Sequence, residues 1–181
     1  MEKVIEKFYL ENPSMERKKD VIEYMNEHVK YNSAINGTGS FDHVLEGETY
    51  EECMDRYYKI QDNEYAKSID RCPSKTYFLI RKNDNKLIGM INIRHHLSSK
   101  MLVHGGHIGY GIRPTERRKG YNKINLYLGL LKALEEFNLD KVMLDCDVKN
   151  LGSDKTIQAL GGVLERTDID DYDGVLTNVY W

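Results

Sequence analysis

The chain has 181 residues, 40% hydrophobic and 30% charged, with a formal net charge of −3 and a pI near 6.1. That length accommodates one domain over residues 1–181 with a substantial core, and the weak negative charge excludes a general attraction to nucleic acid or to an acidic membrane. No apolar run is long enough to span a bilayer, residues 1–7 lack the unbroken apolar stretch of a secretory leader, and Cys53, Cys72 and Cys146 form an odd set without CxxC spacing that reads as reduced thiols; the expected compartment is the cytoplasm.

In chain order, residues 4–10 read as a strand, broken by Asn12-Pro13-Ser14. Ser14 and the charges at 16–19 open a helix, where Val21, Ile22, Met25, His28 and Val29 share one apolar face. Gly37-Thr38-Gly39-Ser40 reads as a flexible loop. Residues 50–66 read as one tyrosine-rich helix, with Met54, Tyr57, Tyr58 and Ile60 facing either core or substrate. Residues 77–80 and 87–94 are strands joined by the turn cluster Asn83-Asp84-Asn85-Lys86. A third strand, 107–112, follows Gly105-Gly106 and stops at Pro114. A long helix spans 120–137 with Tyr121, Ile124, Leu128, Leu131, Leu134 and Phe137 along one face. Residues 141–148 alternate as a strand, 153–160 form a short helix closed by Gly161-Gly162, and 163–166 with 176–181 make a last hairpin around Asp171-Tyr172-Asp173-Gly174. This order predicts an α+β fold, a mixed sheet with helices on its faces.

The chemistry concentrates in residues 108–122, where the third of these strands runs into a basic, glycine-containing turn that opens the long helix. A helix start offers unpaired backbone N–H groups and the positive end of the macrodipole, which together attract phosphate. Arg117, Arg118 and Lys119 add charge there, and Gly120 lets a ligand approach the backbone. The GxxxxGK[ST] phosphate loop is absent, and Gly109-Tyr110-Gly111 starts a dinucleotide fingerprint that Pro114 breaks.

Arg117-Arg118-Lys119-Gly120-Tyr121-Asn122 resembles the R/Q-x-x-G-x-G/A signature of the GNAT acetyltransferases, and stands between a strand and the long helix as theirs does. Cys146-Asp147-Val148-Lys149-Asn150-Leu151-Gly152-Ser153-Asp154-Lys155 is similar to that family's second cofactor motif, an Asn at a strand end followed by a small residue in a helix. The resemblance is strongest over residues 75–167. It implies a twisted, mostly antiparallel sheet flanked by helices on both faces, with acetyl-CoA as co-substrate and no metal. It also implies that Tyr110, Gly111 and Ile112 pair with the pantetheine arm as an added strand would. The pyrophosphate would rest on the N–H groups of Arg118, Lys119, Gly120, Tyr121 and Asn122, beside Arg117. Asn150 would meet the pantetheine, near Ser153, and Lys155 would be a further phosphate contact or else an exposed helix lysine.

Two positions depart from the family pattern. Asn122 stands where Gly or Ala is usual, and Ile157 stands seven residues after Asn150, where relatives often carry a tyrosine that protonates the leaving thiolate. That proton then falls to Tyr172, Tyr180 or water, or the thiolate leaves unassisted. The resemblance implies direct attack by a neutral amine on the thioester in a ternary complex, with a strand N–H stabilising the oxyanion. The base candidates are His107, His104 and Glu116. His95 and His96 alternate faces, and with no Cys or carboxylate at ligand spacing the histidines do not read as a metal site. Acidic and tyrosine-rich segments, Glu46 to Tyr65 and Asp168 to Asp173, suit a cationic acceptor, a small-molecule or peptide amine. A non-catalytic acyl-CoA-binding module and an acyltransferase with another donor remain alternatives, and a homodimer through the C-terminal strands is left open.

Overall fold

The computed structural model describes residues 7–171 and 173–181. The expected first strand lies partly outside these residues; the strand seen, β1, is Phe8–Glu11. A 3₁₀ turn, Met15–Arg17, leads into helix α1, Lys18–Lys30. A second 3₁₀ turn, Phe41–Glu46, precedes α2, Tyr50–Lys59, and α3, Asn63–Ser68. Strands β2, Ser74–Arg81, and β3, Lys86–Arg94, form the expected hairpin. A short helix α4, Ser99–Val103, leads to β4, Ile108–Ile112. Then come α5, Tyr121–Phe137, β5, Leu144–Asp147, and α6, Leu151–Ala159. The hairpin of β6, Leu164–Ile169, and β7, Leu176–Tyr180, completes the fold.

The strands form two antiparallel groups, ordered β1-β2-β3-β4 and β5-β7-β6. Helices cover both faces of the first group, so β2 and β3 alternate between two apolar layers rather than between core and water. Phe78, Ile80, Leu87 and Met90 pack with Val21, Tyr24 and Met25 of α1 and with Tyr50, Met54 and Tyr57 of α2. Tyr77, Ile91 and Ile93 face the other way, onto Leu126 and Ala133 of α5, and share that layer with Leu144, Cys146 and Ile157. The α+β arrangement agrees with the sequence.

The helices differ from expectation in several places, beginning with α1, where Ile22 and Val29 are exposed and Val21, Tyr24, Met25 and His28 form the buried face. Residues 50–66 are two helices, because the Asp62 side chain accepts the Tyr65 N–H and caps a new one. Within them Met54, Tyr57 and Ile60 are core residues, while Tyr58 is 63% exposed. On α5, Leu131 and Leu134 are exposed, the latter 52%, and the buried face runs through Ile124, Asn125, Leu126, Gly129 and Ala133. Leucines surround this helix, so bulk does not choose its face. Small residues do: a Cβ at Gly129 would collide with the Ile91 side chain. Asn125, fully buried, donates to the Met90 carbonyl at 3.0 Å and ties the helix to β3. Among the described residues no helix is long and apolar enough to cross a membrane.

Candidate functional site

The two strand groups meet at one joint. The backbone N–H of His107 donates to the Met143 carbonyl at 2.7 Å, and the Met143 N–H donates to His107 Nδ1 at 2.9 Å. Beyond this joint β4 and β5 do not pair. The register of β3 with β4 shows which backbone groups are left over. Arg113 donates to Ile88 O and Arg94 to His107 O, so by alternation the odd-numbered residues of β4 bond to β3. The N–H and C=O of Tyr110 and Ile112 therefore face the gap.

A groove of about 540 Å³ opens at this gap. One wall is Tyr110, Gly111 and Ile112 of β4, and another is Asn150, Gly152, Ser153 and Thr156 at the start of α6. Its floor is the basic turn, Arg117, Arg118 and Gly120, with Tyr121, Asn122 and Lys123 of α5. The start of α5 has no side-chain cap and no acidic residue in its first turn, so its N–H dipoles remain directed outward. Gly120 is left-handed, at φ 79°, and a Cβ there would meet nothing within 4 Å. Arg118 is also left-handed, at φ 60°. A coenzyme's pyrophosphate fits this cradle, by the open space at Gly120, the uncapped helix start and the surrounding cations.

Two carboxylates fix the basic turn. Glu27 of α1 accepts from the Thr115 N–H and hydroxyl, both at 2.8 Å, and pairs with Arg113 at 3.3 Å. Glu116, 4% exposed, accepts from Arg81 and Lys86 at 2.9 Å and from Lys119 at 2.8 Å. Burial alone would raise its pKa, but the three cations override it and bring the carboxyl to about 2. Arg117 spans from the Ile112 carbonyl at 3.0 Å to the Ser33 hydroxyl at 2.7 Å.

The groove brings together all but two of the residues expected to hold the coenzyme. Lys119 turns to Glu116 instead, and Lys155 is exposed on α6 outside the groove. Asn150 lines the groove but also caps α6, its Oδ1 accepting the Ser153 N–H at 3.1 Å. Ser153 meets the Tyr110 hydroxyl at 2.6 Å. Burial pushes the Tyr110 phenol well above its ordinary pKa.

The expected catalytic residues fare differently. His107 does not line the groove; it is buried at the joint, and burial lowers its pKa, as expected for a neutral ring accepting a backbone N–H. Glu116 borders the groove, but its charge is committed to three cations. Tyr172 lies outside the described residues. The Tyr180 hydroxyl bonds Asp154, and Ile157 packs in the core.

The groove residues absent from the sequence expectation are Ser33, Ala34, Asn36, Lys123, Gly152 and Thr156. Thr156 was readable from its i, i+3 relation to Ser153. Asn36 carried a weaker signal, the adjoining Gly37. That glycine is left-handed at φ 74°, and a Cβ on it would come within 2.5 Å of the Tyr110 Cα, so the segment expected to be flexible is packed on β4.

Comparison with known proteins agrees with this architecture. Residues 16–163 match the family model of the acetyltransferase (GNAT) domain. The chain belongs to the GNAT acetyltransferases. No curated protein matches the sequence. Among solved structures, the ribosomal-protein-S5-alanine acetyltransferase of Vibrio fischeri superposes with a TM-score of 0.68 at 15% identity, over 96% of this chain and 91% of that one. The RimL ribosomal L7/L12 α-N-protein acetyltransferase, determined with coenzyme A, gives 0.65 at 14% identity, over 96% and 92%. The spermidine N-acetyltransferase of Vibrio cholerae gives 0.59 at 17% identity, over 97% and 91%. At these identities the likeness is one of fold.

Proposed function

We propose that the protein is an acetyl-CoA-dependent N-acetyltransferase that acts on a primary amine of a small molecule or peptide by direct attack in a ternary complex. The observation that carries this reading is the groove itself. It joins an unpaired strand edge, an uncapped helix start bearing cations, and an Asn-capped second helix in one continuous surface. Solved structures of this fold include enzymes named for ribosomal proteins S5 and L7/L12 and for spermidine, which favours an amine acceptor.

Tyr110 offers its gap-facing N–H and C=O, and Ile112 its N–H, to the pantetheine amides, and the N–H groups of residues 118–122 receive the pyrophosphate. Asn150 uses its carbonyl to cap α6, which leaves its amide N–H groups for the arm. Bound acetyl-CoA supplies an activated acyl carbon and a thiolate leaving group of low basicity. The Tyr110–Ser153 hydroxyl pair is the protic group we assign to receive the departing thiolate, in place of a tyrosine at position 157. The acceptor must arrive as the neutral amine. We assign neither His107 nor Glu116 as its base, because one holds the strand joint and the other the basic turn.

Isothermal titration with acetyl-CoA tests the reading. Saturable binding is expected for the parent protein and none for Gly120→Glu, whose carboxylate would enter the phosphate cradle. An amine panel followed by thiol release then tests turnover. Absence of binding by the parent protein up to millimolar acetyl-CoA would sink the proposal; binding without turnover on any amine would favour an acyl-CoA-binding module.

A further inference from the structure

A second polar cluster stands apart from the groove; none of its members lines it. His104 precedes β4, Asp145 lies on β5, Asp168 on β6, and Asp170 just beyond β6. His104 is 8% exposed, and its Nδ1 is shielded from solvent and makes no hydrogen bond. A buried ring nitrogen without a partner costs about 1–3 kcal/mol, so a histidine left in this state points to a missing contact.

The surroundings define what is missing. His104 Nδ1 lies 4.0 Å from Asp170 Oδ2, and Nε2 lies 3.5 Å from Asp168 Oδ1. One donor atom each from His104, Asp145 and Asp170 falls within 4.8 Å of the other two. Asp145 is oriented by the Gly105 N–H, which donates to its Oδ2. Asp168 is oriented by Arg166, whose Nε donates to Oδ2 at 3.1 Å, while its Oδ1 is shielded and makes no hydrogen bond. Arg94 also stands near, donating to the Gly105 and Gly106 carbonyls and acting on Asp145 through space.

A protonated imidazole held by these carboxylates would sit at about 2.7–2.9 Å from them. The observed separations are longer. They approach the spacing of two ligands on one small ion, about 3.4 Å for a tetrahedral pair at 2.0–2.1 Å from zinc. One imidazole nitrogen with two or three carboxylate oxygens is a donor set for a borderline divalent ion. We propose that His104, Asp145 and Asp170 bind a divalent transition-metal ion of the zinc class through His104 Nδ1, with Asp168 as the partner of His104 Nε2. The site is independent of the coenzyme groove. The ligands come from three distant segments, so sequence spacing hides it, contrary to the expectation that the histidines have no metal role.

The test uses the full chain, stripped with a chelator and titrated with zinc alone by calorimetry, with thermal melting as a second readout. One saturable zinc per chain and a raised melting temperature are expected. His104→Gln and Asp170→Asn should each weaken binding at least about tenfold, whereas Asp140→Asn, outside the cluster, should not. Circular dichroism separates loss of ligand from loss of fold, and Asp170, at a strand end, serves if His104→Gln fails to fold. No saturable uptake would overturn the proposal. Uptake unchanged in both cluster variants would overturn it as adventitious binding. Neither outcome touches the acetyl-CoA titration.

Discussion

Glu116 shows why residue type alone misassigns a role. A carboxylate beside a substrate groove invites the reading of a general base, yet three cations hold its charge at pH values where a base would need to accept a proton. The sign of its pH effect follows. A carboxyl near pKa 2 in the folded chain, against about 4.5 when unfolded, stabilises the fold fully above the unfolded value. That contribution is lost as the pH falls from about 4.5 to about 2. Glu136 acts in the same window; burial opposes ionisation there, but Lys132, Lys75 and Tyr77 bring it to about 2. Urea midpoints of the parent and Glu116→Gln proteins across pH 2–7 should show the variant less stable at neutral pH by about 1–3 kcal/mol, with the gap closing in acid. Equal slopes in acid would contradict the cage. Asn150 separates its two roles in the same way. Asn150→Ala should cost about 1 kcal/mol through the lost helix cap, while Asn150→Ser keeps a capping oxygen and should hold most of the stability. Both should weaken acetyl-CoA binding, and a Ser variant with parental affinity would remove the side-chain amide from the coenzyme contacts.

At the scale of elements, the groove gathers β4 and three further backbone segments, which differ in how far they can be read along the chain. The turn from Arg117 to Asn122 could be read because its chemistry is contiguous, with cations, a glycine and a helix start within six residues. The second wall was also readable in part, since Asn150 and Ser153 obey local capping rules. The third, Ser33 to Gly37, was not, because its position depends on a long-range contact with β4 that no local pattern encodes. The same limit explains α5, where leucines on every side hide the face that Gly129 and Ala133 select. Gly37→Ala tests whether that loop positions the groove. A left-handed alanine at φ 74° costs about 1–2 kcal/mol, and its Cβ would press on the Tyr110 backbone. Displacement of the loop should weaken acetyl-CoA binding about tenfold, which is about 1.4 kcal/mol, with secondary structure by circular dichroism unchanged. Parental affinity would show that residues 33–37 only border the site.

On the scale of the whole molecule, the groove exists because two sheets that share a joint refuse to pair beyond it. His107 is that joint: its backbone N–H and its ring both bond Met143, and its ring stands edge-on to Trp181 at 6.2 Å. Strand continuity would require β4 and β5 to keep exchanging N–H and C=O groups. Instead, the N–H and C=O of Tyr110 and the N–H of Ile112 stay turned to the gap, the Ile112 carbonyl accepts from Arg117, and α6 supports the far side through Ser153. This arrangement gives His107 two testable descriptions with opposite kinetics. As a general base its loss should lower kcat by about 10²–10⁴ and abolish the corresponding limb of the pH–rate profile. As the joint, His107→Ala should leave the Met143 N–H buried without its acceptor and lower stability by about 1–3 kcal/mol. It should widen the gap and weaken acetyl-CoA binding, while the shape of the pH–rate profile stays that of the parent. Melting curves, calorimetry and kcat against pH on the one variant measure all three quantities. A stable protein with parental affinity and a lost acid-side limb would return His107 to the catalytic role and leave the joint to the backbone alone.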